Sequence, residues 1–274
     1  IYAGRFDNKK LQAVEGVSVK FFKILRNLCL LRFKMLGLCS IGTENSIECY
    51  NDTTIPWPCK PKKKFTVAVE GNIGCGKSTF LKYFKNSSNV EVLSEPVELW
   101  KDVRGHNTLE MMYKDPSRWA LTFQSYVQLT MLQSHSSKQL APVKMMERSL
   151  YSGKYCFIEN LFKSGRLPSV DHAVLSEWFD WMTKNCRVSI DLIVYLRASP
   201  DTCLERLRKR SRKEEACVPI EYLEDLHQLH EDWLISGDKF PVPAPVLVID
   251  AEKDISELKG DFEKQRSEIL CGYV

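Results

Sequence analysis

The ten cysteines include no C-x-x-C pair. Their spacing marks no disulfide framework, and Cys75 lies in a glycine-rich stretch unsuited to a structural bridge, so a reducing compartment (cytosol or mitochondrial matrix) fits this usage. Charges interrupt every apolar run well short of the ~18 residues that read as a membrane span. No Asn-Lys-x-Asp tetrapeptide is present to read a guanine nucleotide, and Asp102-Val103-Arg104-Gly105 is too short a pattern to replace it. Internal repeats and low-complexity tracts are absent as well.

Acidic residues are scarce in one region only. Residues 1–64 carry 12 Lys/Arg against 5 Asp/Glu, whereas residues 65–274 carry 27 against 30. The body is therefore not a nucleic-acid binder by bulk electrostatics. Residues 17–43 hold five basic side chains and no acidic one. On a helix, Lys20, Lys23, Arg26, Asn27 and Lys34 share a face, with Phe21, Leu25, Leu28 and Phe33 largely elsewhere. Such a segment has the pattern of a mitochondrial transit peptide, the alternative being a leader with no address. The first residue is Ile, which suits a sequence incomplete at its start. Ile55–Pro61 reads as a Pro-rich linker, and Lys62-Lys63-Lys64 as a solvated lead-in or a nuclear address. The expected organisation is a leader and linker over 1–64, a folded domain over 65–270 and a tail over 271–274. The expected location is the mitochondrial matrix, with cytosol or nucleus as alternatives.

Short apolar runs at Phe65–Glu70, Val90–Leu93, Val143–Met146, Asp191–Leu196 and Val246–Ile249 read as strands. Helical patterns separate them, as in Arg118–Gln133, where Trp119, Phe123, Tyr126, Val127 and Thr130 recur at helical spacing. This alternation predicts an α/β fold, a five-stranded parallel sheet flanked by helices on both faces, with ligands at the carboxyl ends of the strands.

Gly71-Asn72-Ile73-Gly74-Cys75-Gly76-Lys77-Ser78 fits G-x-x-x-x-G-K-[ST], and Thr79 onward opens a helix. Glycines let backbone N–H groups close around phosphate oxygens, and the helix N-terminus adds its positive end. Lys77 then reaches the β- and γ-phosphates of ATP, and Ser78 offers a hydroxyl to Mg²⁺. The loop does not name the phosphate acceptor. Glu147 can stand for the strand-end carboxylate of an ATPase, but Arg148 beside it points to phosphoryl transfer to a small acceptor. Such transfer needs in-line placement, charge neutralisation and a group to take the acceptor's proton. Glu95 can accept that proton, Glu147 can hold Mg²⁺, and Arg148 can stabilise the transferring group. Glu95-Pro96 taken alone reads equally as a turn with a solvated carboxylate. Arg206, Arg208, Arg210 and Arg212 suggest a lid over ATP phosphates, or else a cationic face answered by Glu214 and Glu215. His227 and His230 beside Glu231 read as an ordinary helix surface rather than a metal site. The Ser176–Trp181 segment reads as core or dimer interface.

These motifs, with Ser94-Glu95-Pro96-Val97, Trp100, Met112-Tyr113, Phe123-Gln124-Ser125-Tyr126 and Glu147-Arg148-Ser149, stand in the order seen in the deoxyribonucleoside kinases, a family that residues 65–270 resemble. The resemblance implies a P-loop kinase fold with an arginine-rich lid, and phosphorylation of a deoxynucleoside 5′-hydroxyl. It implies Glu95 as general base, Arg148 beside the 5′-oxygen, and Glu147 as the Mg²⁺-associated carboxylate. It also implies Tyr113 and Glu215 on the sugar 3′-hydroxyl and Gln124 on the base edge. Trp100, Phe123 and Phe157 become pocket walls, with Met112 among the substrate contacts. Met131 and Gly153 match positions that carry an Arg–Asp pair in purine- and cytidine-preferring relatives, and Gly153 departs from an expected Ala. A homodimer is implied too. Gln124 adds an independent argument: a carboxamide in one orientation pairs with thymine and, flipped, with cytosine. Thymidine and deoxycytidine are thus the expected substrates. A nucleoside monophosphate kinase or a non-catalytic nucleotide-binding protein are the rival readings.

Overall fold

The computed structural model describes residues 64–212, 215 and 218–273. The expectations for the basic leader, most of the linker and Glu214 lie outside these residues. Strand β1 (Phe65–Glu70) is buried from Thr66 to Glu70, on both faces, as the middle of a parallel sheet requires. It lies between β3 (Val143–Glu147) and β4 (Leu192–Arg197), with β2 (Val90–Leu93) and β5 (Val246–Asp250) outermost. All four pairings are parallel, in the order β2-β3-β1-β4-β5.

Three strand ends differ from the sequence expectation. β3 runs on to Glu147, which pairs with Val69. β5 ends at Asp250, opposite Arg197. β4 starts at Leu192 rather than Asp191. The Asp191 carboxylate accepts from the Thr66 N–H at 2.9 Å while its own N–H donates to the Thr66 carbonyl at 2.8 Å, so this residue clamps the entry of β1 instead of extending the ladder.

Parallel strands need crossover connections, and helices supply them. Helix α1 (Lys77–Phe84) follows the phosphate loop. After β2 come α2 (Val97–Lys101), α3 (Thr108–Lys114) and the long α4 (Pro116–Ser136). The last begins two residues before its apolar repeat, because Asp115 caps the Arg118 N–H at 3.2 Å and Pro116 fits the first turn. Beyond β3, α5 (Leu150–Ser152) passes into a π-helical stretch, Gly153–Ile158, and then α6 (Glu159–Lys163). Among the described residues the further helices are α7 (Ser169–Asn185), α8 (Pro200–Arg210), α9 (Ile220–Glu231), which passes into a second π-helical stretch, Asp232–Ser236, then α10 (Ile255–Lys264) and α11 (Arg266–Ile269).

Phe80 and Phe84 of α1 pack on Phe262 of α10, with the Phe80 and Phe262 rings 4.8 Å apart edge to face, which fastens the phosphate-loop helix to α10. Beyond Leu270, the Tyr273 ring meets Phe65 of β1 at 6.0 Å, edge to face. His230 is wholly buried, a departure from the surface position expected of it. It shares the inward face of α9 with Leu223 and Leu226, and its Nδ1 lies 2.6 Å from the Leu226 carbonyl.

Two loop glycines test this architecture. A Cβ on Gly71 (φ +138°) would lie 2.5 Å from the Leu196 carbonyl oxygen, whereas one on Gly76 (φ +108°) would meet nothing within 4 Å. Gly71→Ala is therefore expected to destabilise the fold by more than about 1 kcal/mol, and by more than Gly76→Ala, in chemical denaturation. Equal losses in the two variants would contradict the contact.

Candidate active site

The turn after β1 cannot hold a phosphate chain unless its backbone opens, and Gly71, Gly74 and Gly76 all take positive φ. Gly74 also needs its missing side chain, since a Cβ there would stand 2.5 Å from the Cys203 carbonyl. Asn72 turns inward: its amide donates to the Leu223 carbonyl at 2.8 Å and its oxygen accepts from the Ile73 N–H, so it ties the loop to α9. The buried Lys77 ammonium donates to the Gly71 and Asn72 carbonyls at 3.2 and 2.7 Å and lies 3.8 Å from Cys75 Sγ. The open space at Gly76, the first turn of α1 and the Lys77 ammonium together fit a polyphosphate.

Two cavities meet here. One, of 590 Å³, is lined by Gly74, Cys75, Gly76, Lys77, Ser78, Thr79 and Glu147, with Arg206, Arg210 and Arg212 across from them. The other, of 310 Å³, is lined by every residue expected to touch the acceptor: Glu95, Trp100, Met112, Tyr113, Phe123, Gln124, Met131, Arg148, Gly153, Phe157 and Glu215. Ile73 borders this second space as well, and Gly74, Lys77, Ser78, Glu147, Arg210 and Arg212 line both. A group bound in one cavity thus faces a group bound in the other across Lys77.

At the junction the Ser78 hydroxyl donates to Glu147 Oε1 at 2.7 Å, two hard oxygen ligands side by side, a pairing that suits Mg²⁺. Arg148 follows in the left-handed region (φ +63°), a strained geometry for a non-glycine residue. Its N–H donates to the Val69 carbonyl at 2.9 Å, which anchors the turn to β1. Its guanidinium pairs with Glu95 at 3.2 Å, donates to the Gly71 carbonyl at 2.9 Å and lies 4.6 Å above the Phe157 ring. Burial works against the Arg148 charge, but Glu95 and Glu70 outweigh it and hold the pKa above its ordinary value. Burial pushes the Glu95 carboxyl up, with Arg148 opposing and the nearby Glu147 charge adding to the rise. A carboxyl raised in this way is a better proton acceptor than a solvated one.

In the wall of the same cavity, Gln124 is 2% exposed and its Oε1 is buried with no hydrogen-bond partner. Buried carboxamides are ordinarily satisfied, so the cavity offers an unfilled recognition group at this point. Trp100 and Phe123 meet edge to face at 5.7 Å beside it, and the Trp100 indole is fixed by Thr130 at 2.9 Å. A Cβ on Gly153 would meet nothing within 4 Å.

The family model that matches the chain, described as deoxynucleoside kinase, covers residues 67–270. The chain belongs to the deoxynucleoside kinase family. This deoxynucleoside kinase is similar to the mitochondrial thymidine kinase 2 of Homo sapiens, at 56% identity over 76% of this chain and 79% of that protein. Its similarity to the protein of the same name in Macaca fascicularis is 54%, over 78% and 82%. The deoxycytidine kinase of Mus musculus is 36% identical, over 74% of this chain and 90% of that protein.

The arginines of the deoxynucleoside kinase do not act as one set. Arg206 is fixed, donating to the carbonyls of Cys75 (3.3 Å), Ala251 (2.8 Å) and Lys253 (3.1 Å). Arg210 and Arg212 both pair with Glu215, the latter at 3.2 Å. Arg208 lines neither cavity and is exposed, because two residues along a helix turn about 200° from Arg206. Asp102-Val103-Arg104-Gly105 is a local turn in which Asp102 accepts from the Gly105 N–H at 2.6 Å.

Several lining residues lie beyond the sequence expectation. Leu109, Val127 and Tyr222 complete the acceptor cavity from positions whose sequence context marks only helix, and Val97 lines it from the Ser94-Glu95-Pro96-Val97 motif although no contact was expected of it. Glu70 is also absent from the expected site, although a carboxylate ending an apolar strand directly before the phosphate loop is a readable signal. It is fully buried, and Ser149 Oγ donates to its Oε1 at 2.5 Å. Burial raises its pKa from 4.5 to about 7, against the pull of Ser149, Arg148, Ser152 and Lys77. A carboxyl raised on folding contributes stability fully below its unfolded pKa and loses it as the pH climbs through the folded value, here about 7. The Tm of Glu70→Gln is therefore expected to gain on that of the parent between about pH 5 and about pH 8. A difference that stays constant with pH would refute the shift.

Proposed function

We propose that the chain transfers the γ-phosphoryl group of ATP to the 5′-hydroxyl of pyrimidine deoxynucleosides, thymidine and deoxycytidine, in nucleotide salvage. The carrying observation is Gln124, a buried amide with an unpartnered oxygen lining the same cavity as the Glu95–Arg148 pair and Lys77. Two relatives are named thymidine kinase 2 and a third deoxycytidine kinase, which agrees with a base reader that either pyrimidine can satisfy.

In this reading Gln124 meets the base edge in either amide orientation. Phe157 offers the ring on which the base stacks, and Trp100, Phe123, Met112 and Met131 wall the slot. Tyr113 and Glu215 take the sugar 3′-hydroxyl, for which Glu215 exchanges part of its pairing with Arg210 and Arg212. Glu95 accepts the 5′-hydroxyl proton as the oxygen attacks. Arg148 steadies the charge on the equatorial oxygens of the transferring group, and Lys77, Arg206, Arg210 and Arg212 do so from the phosphate side. Ser78 and Glu147 are the residues that would hold Mg²⁺, which supplies charge neutralisation on the β- and γ-oxygens. The carboxylates Glu95 and Glu215 in the acceptor cavity disfavour a nucleoside monophosphate as acceptor.

Two further parts of the reading concern context. Val170, Val174, Trp178 and Trp181 leave an apolar stripe exposed along α7, and Leu129 is exposed on α4, the helix that α7 packs against. A second copy of the chain would cover that stripe, giving a homodimer. The basic N-terminal segment and the relatives' names support a mitochondrial location.

Thymidine, deoxycytidine, deoxyadenosine and thymidine monophosphate, each supplied alone with ATP, test the assignment. Transfer to the two pyrimidine nucleosides is expected, and transfer to the monophosphate alone would overturn it. Glu95→Gln is expected to lower kcat by about 10²-fold or more with thymidine binding largely kept. A variant as fast as the parent would remove Glu95 from the proton-accepting role. Gln124→Ala is expected to weaken both nucleosides by roughly tenfold in kcat/KM and to change their ratio in direct competition. Unchanged affinity and ratio would dismiss Gln124 as the base reader.

A further inference from the structure

Glu70 has no part in the transfer just described, yet it is buried against the groups that perform it. It closes β1 in the residue before Gly71, and its side chain faces Lys77 from α1, Arg148 and Ser149 from the end of β3, Ser152 from α5 and Cys156 from the π-helical stretch. Only one of its oxygens is engaged, by the Ser149 hydroxyl at 2.5 Å, and Oε2 is buried without a partner. An acid held this way in a protein interior is costly, so its retention calls for a role that offsets the cost.

The geometry points to Glu70 as a positioning residue for phosphoryl transfer: through the Ser149 hydroxyl it holds the strained turn that aims Arg148 at the reacting oxygens. The Ser149 hydroxyl is a relay with two ends. It donates to Glu70 and accepts from the Ser152 N–H at 3.4 Å, while the Ser152 hydroxyl accepts from the Ser149 N–H at 3.3 Å and donates to the Ser149 carbonyl at 3.1 Å. Ser149 is thereby fixed between β1 and the first turn of α5. Arg148, one residue earlier, sits at φ +63° and is held on its other side by the Val69 carbonyl. Val69 and Glu70 thus grip the two sides of one turn, the first by its backbone and the second by its side chain. Without the second grip the turn can relax toward negative φ, and the guanidinium would leave its place between Glu95, the Gly71 carbonyl and the Phe157 ring.

This inference rests on the phosphoryl-transfer reading above, so thymidine phosphorylation by the parent is measured first. Its absence would sink that reading and this one together, whereas activity in the parent isolates the question of Glu70. Glu70→Ala is expected to lose about tenfold or more in kcat per folded active site, with KM for thymidine and ATP changed by less than about threefold. Glu70→Gln, which restores an acceptor for Ser149, is expected to recover to within about threefold of the parent. Ser149→Ala is expected to match Glu70→Ala, and the double variant to be no slower than either single one, because both remove the same relay. Where Glu70→Ala does not fold, Ser149→Ala and Glu70→Gln decide the question in its place. Unchanged turnover in the alanine variants overturns the inference. So does a Glu70→Gln as slow as the alanine variant, or a double variant whose loss is the product of the two single losses.

Discussion

The parallel pairing of β1 with β3 is the constraint on which the site depends. It sets Val69 opposite Glu147 and so delivers two loops, the glycine-rich turn and the Glu147-Arg148-Ser149 turn, to the same end of the sheet. The Arg148 N–H on the Val69 carbonyl and its guanidinium on the Gly71 carbonyl then join the two loops directly. Phosphate binding and acceptor activation are in this sense one structural unit. Displacing either loop moves the groups that the other must meet.

Charge balance accounts for the crowding that follows. Three carboxylates, Glu95, Glu147 and Glu215, border a space that also holds Lys77, Arg148, Arg210 and Arg212, and a fourth, Glu70, is buried next to Arg148 and Lys77. Burial alone would expel most of these charges, and specific contacts offset that cost. Arg148 answers Glu95, Ser78 answers Glu147, and Arg210 with Arg212 answers Glu215. In the proposed reading, these contacts are made with the same atoms that nucleoside and phosphates would engage. Ligand binding therefore exchanges partners instead of creating charge interactions from nothing, which favours pre-organisation over large rearrangement.

Much of this is legible in the sequence because it is local. The phosphate loop is a contiguous pattern, and the strands announce themselves as short apolar runs between helical stretches. The acceptor pocket is a different case. Phe123, Gln124 and Met131 share a helix face that periodicity can find, but Tyr113, Glu215 and Gly153 come from elements that only tertiary packing assembles, and their assignment relies on resemblance to a family. Asp191 reads as a strand residue in sequence because its carboxylate finds its partner in β1, 125 positions away. His230 reads as a surface residue because histidine carries no marker of burial, although Leu223 and Leu226 trace the buried face that it joins. The arginine series looks uniform in sequence, yet helical rotation separates Arg208 from Arg206.

The wide helical turn at Gly153–Ile158 has a consequence for how the two ends of the pocket communicate. It carries Phe157, whose ring has the Arg148 guanidinium on one side. In the proposed reading the nucleobase stacks on the opposite side. The same six carbon atoms thus separate nucleobase from cation, and how closely the first lies governs where the second can rest. Selectivity for the base and speed of the chemistry would then share this partition, and neither could be tuned through it without disturbing the other.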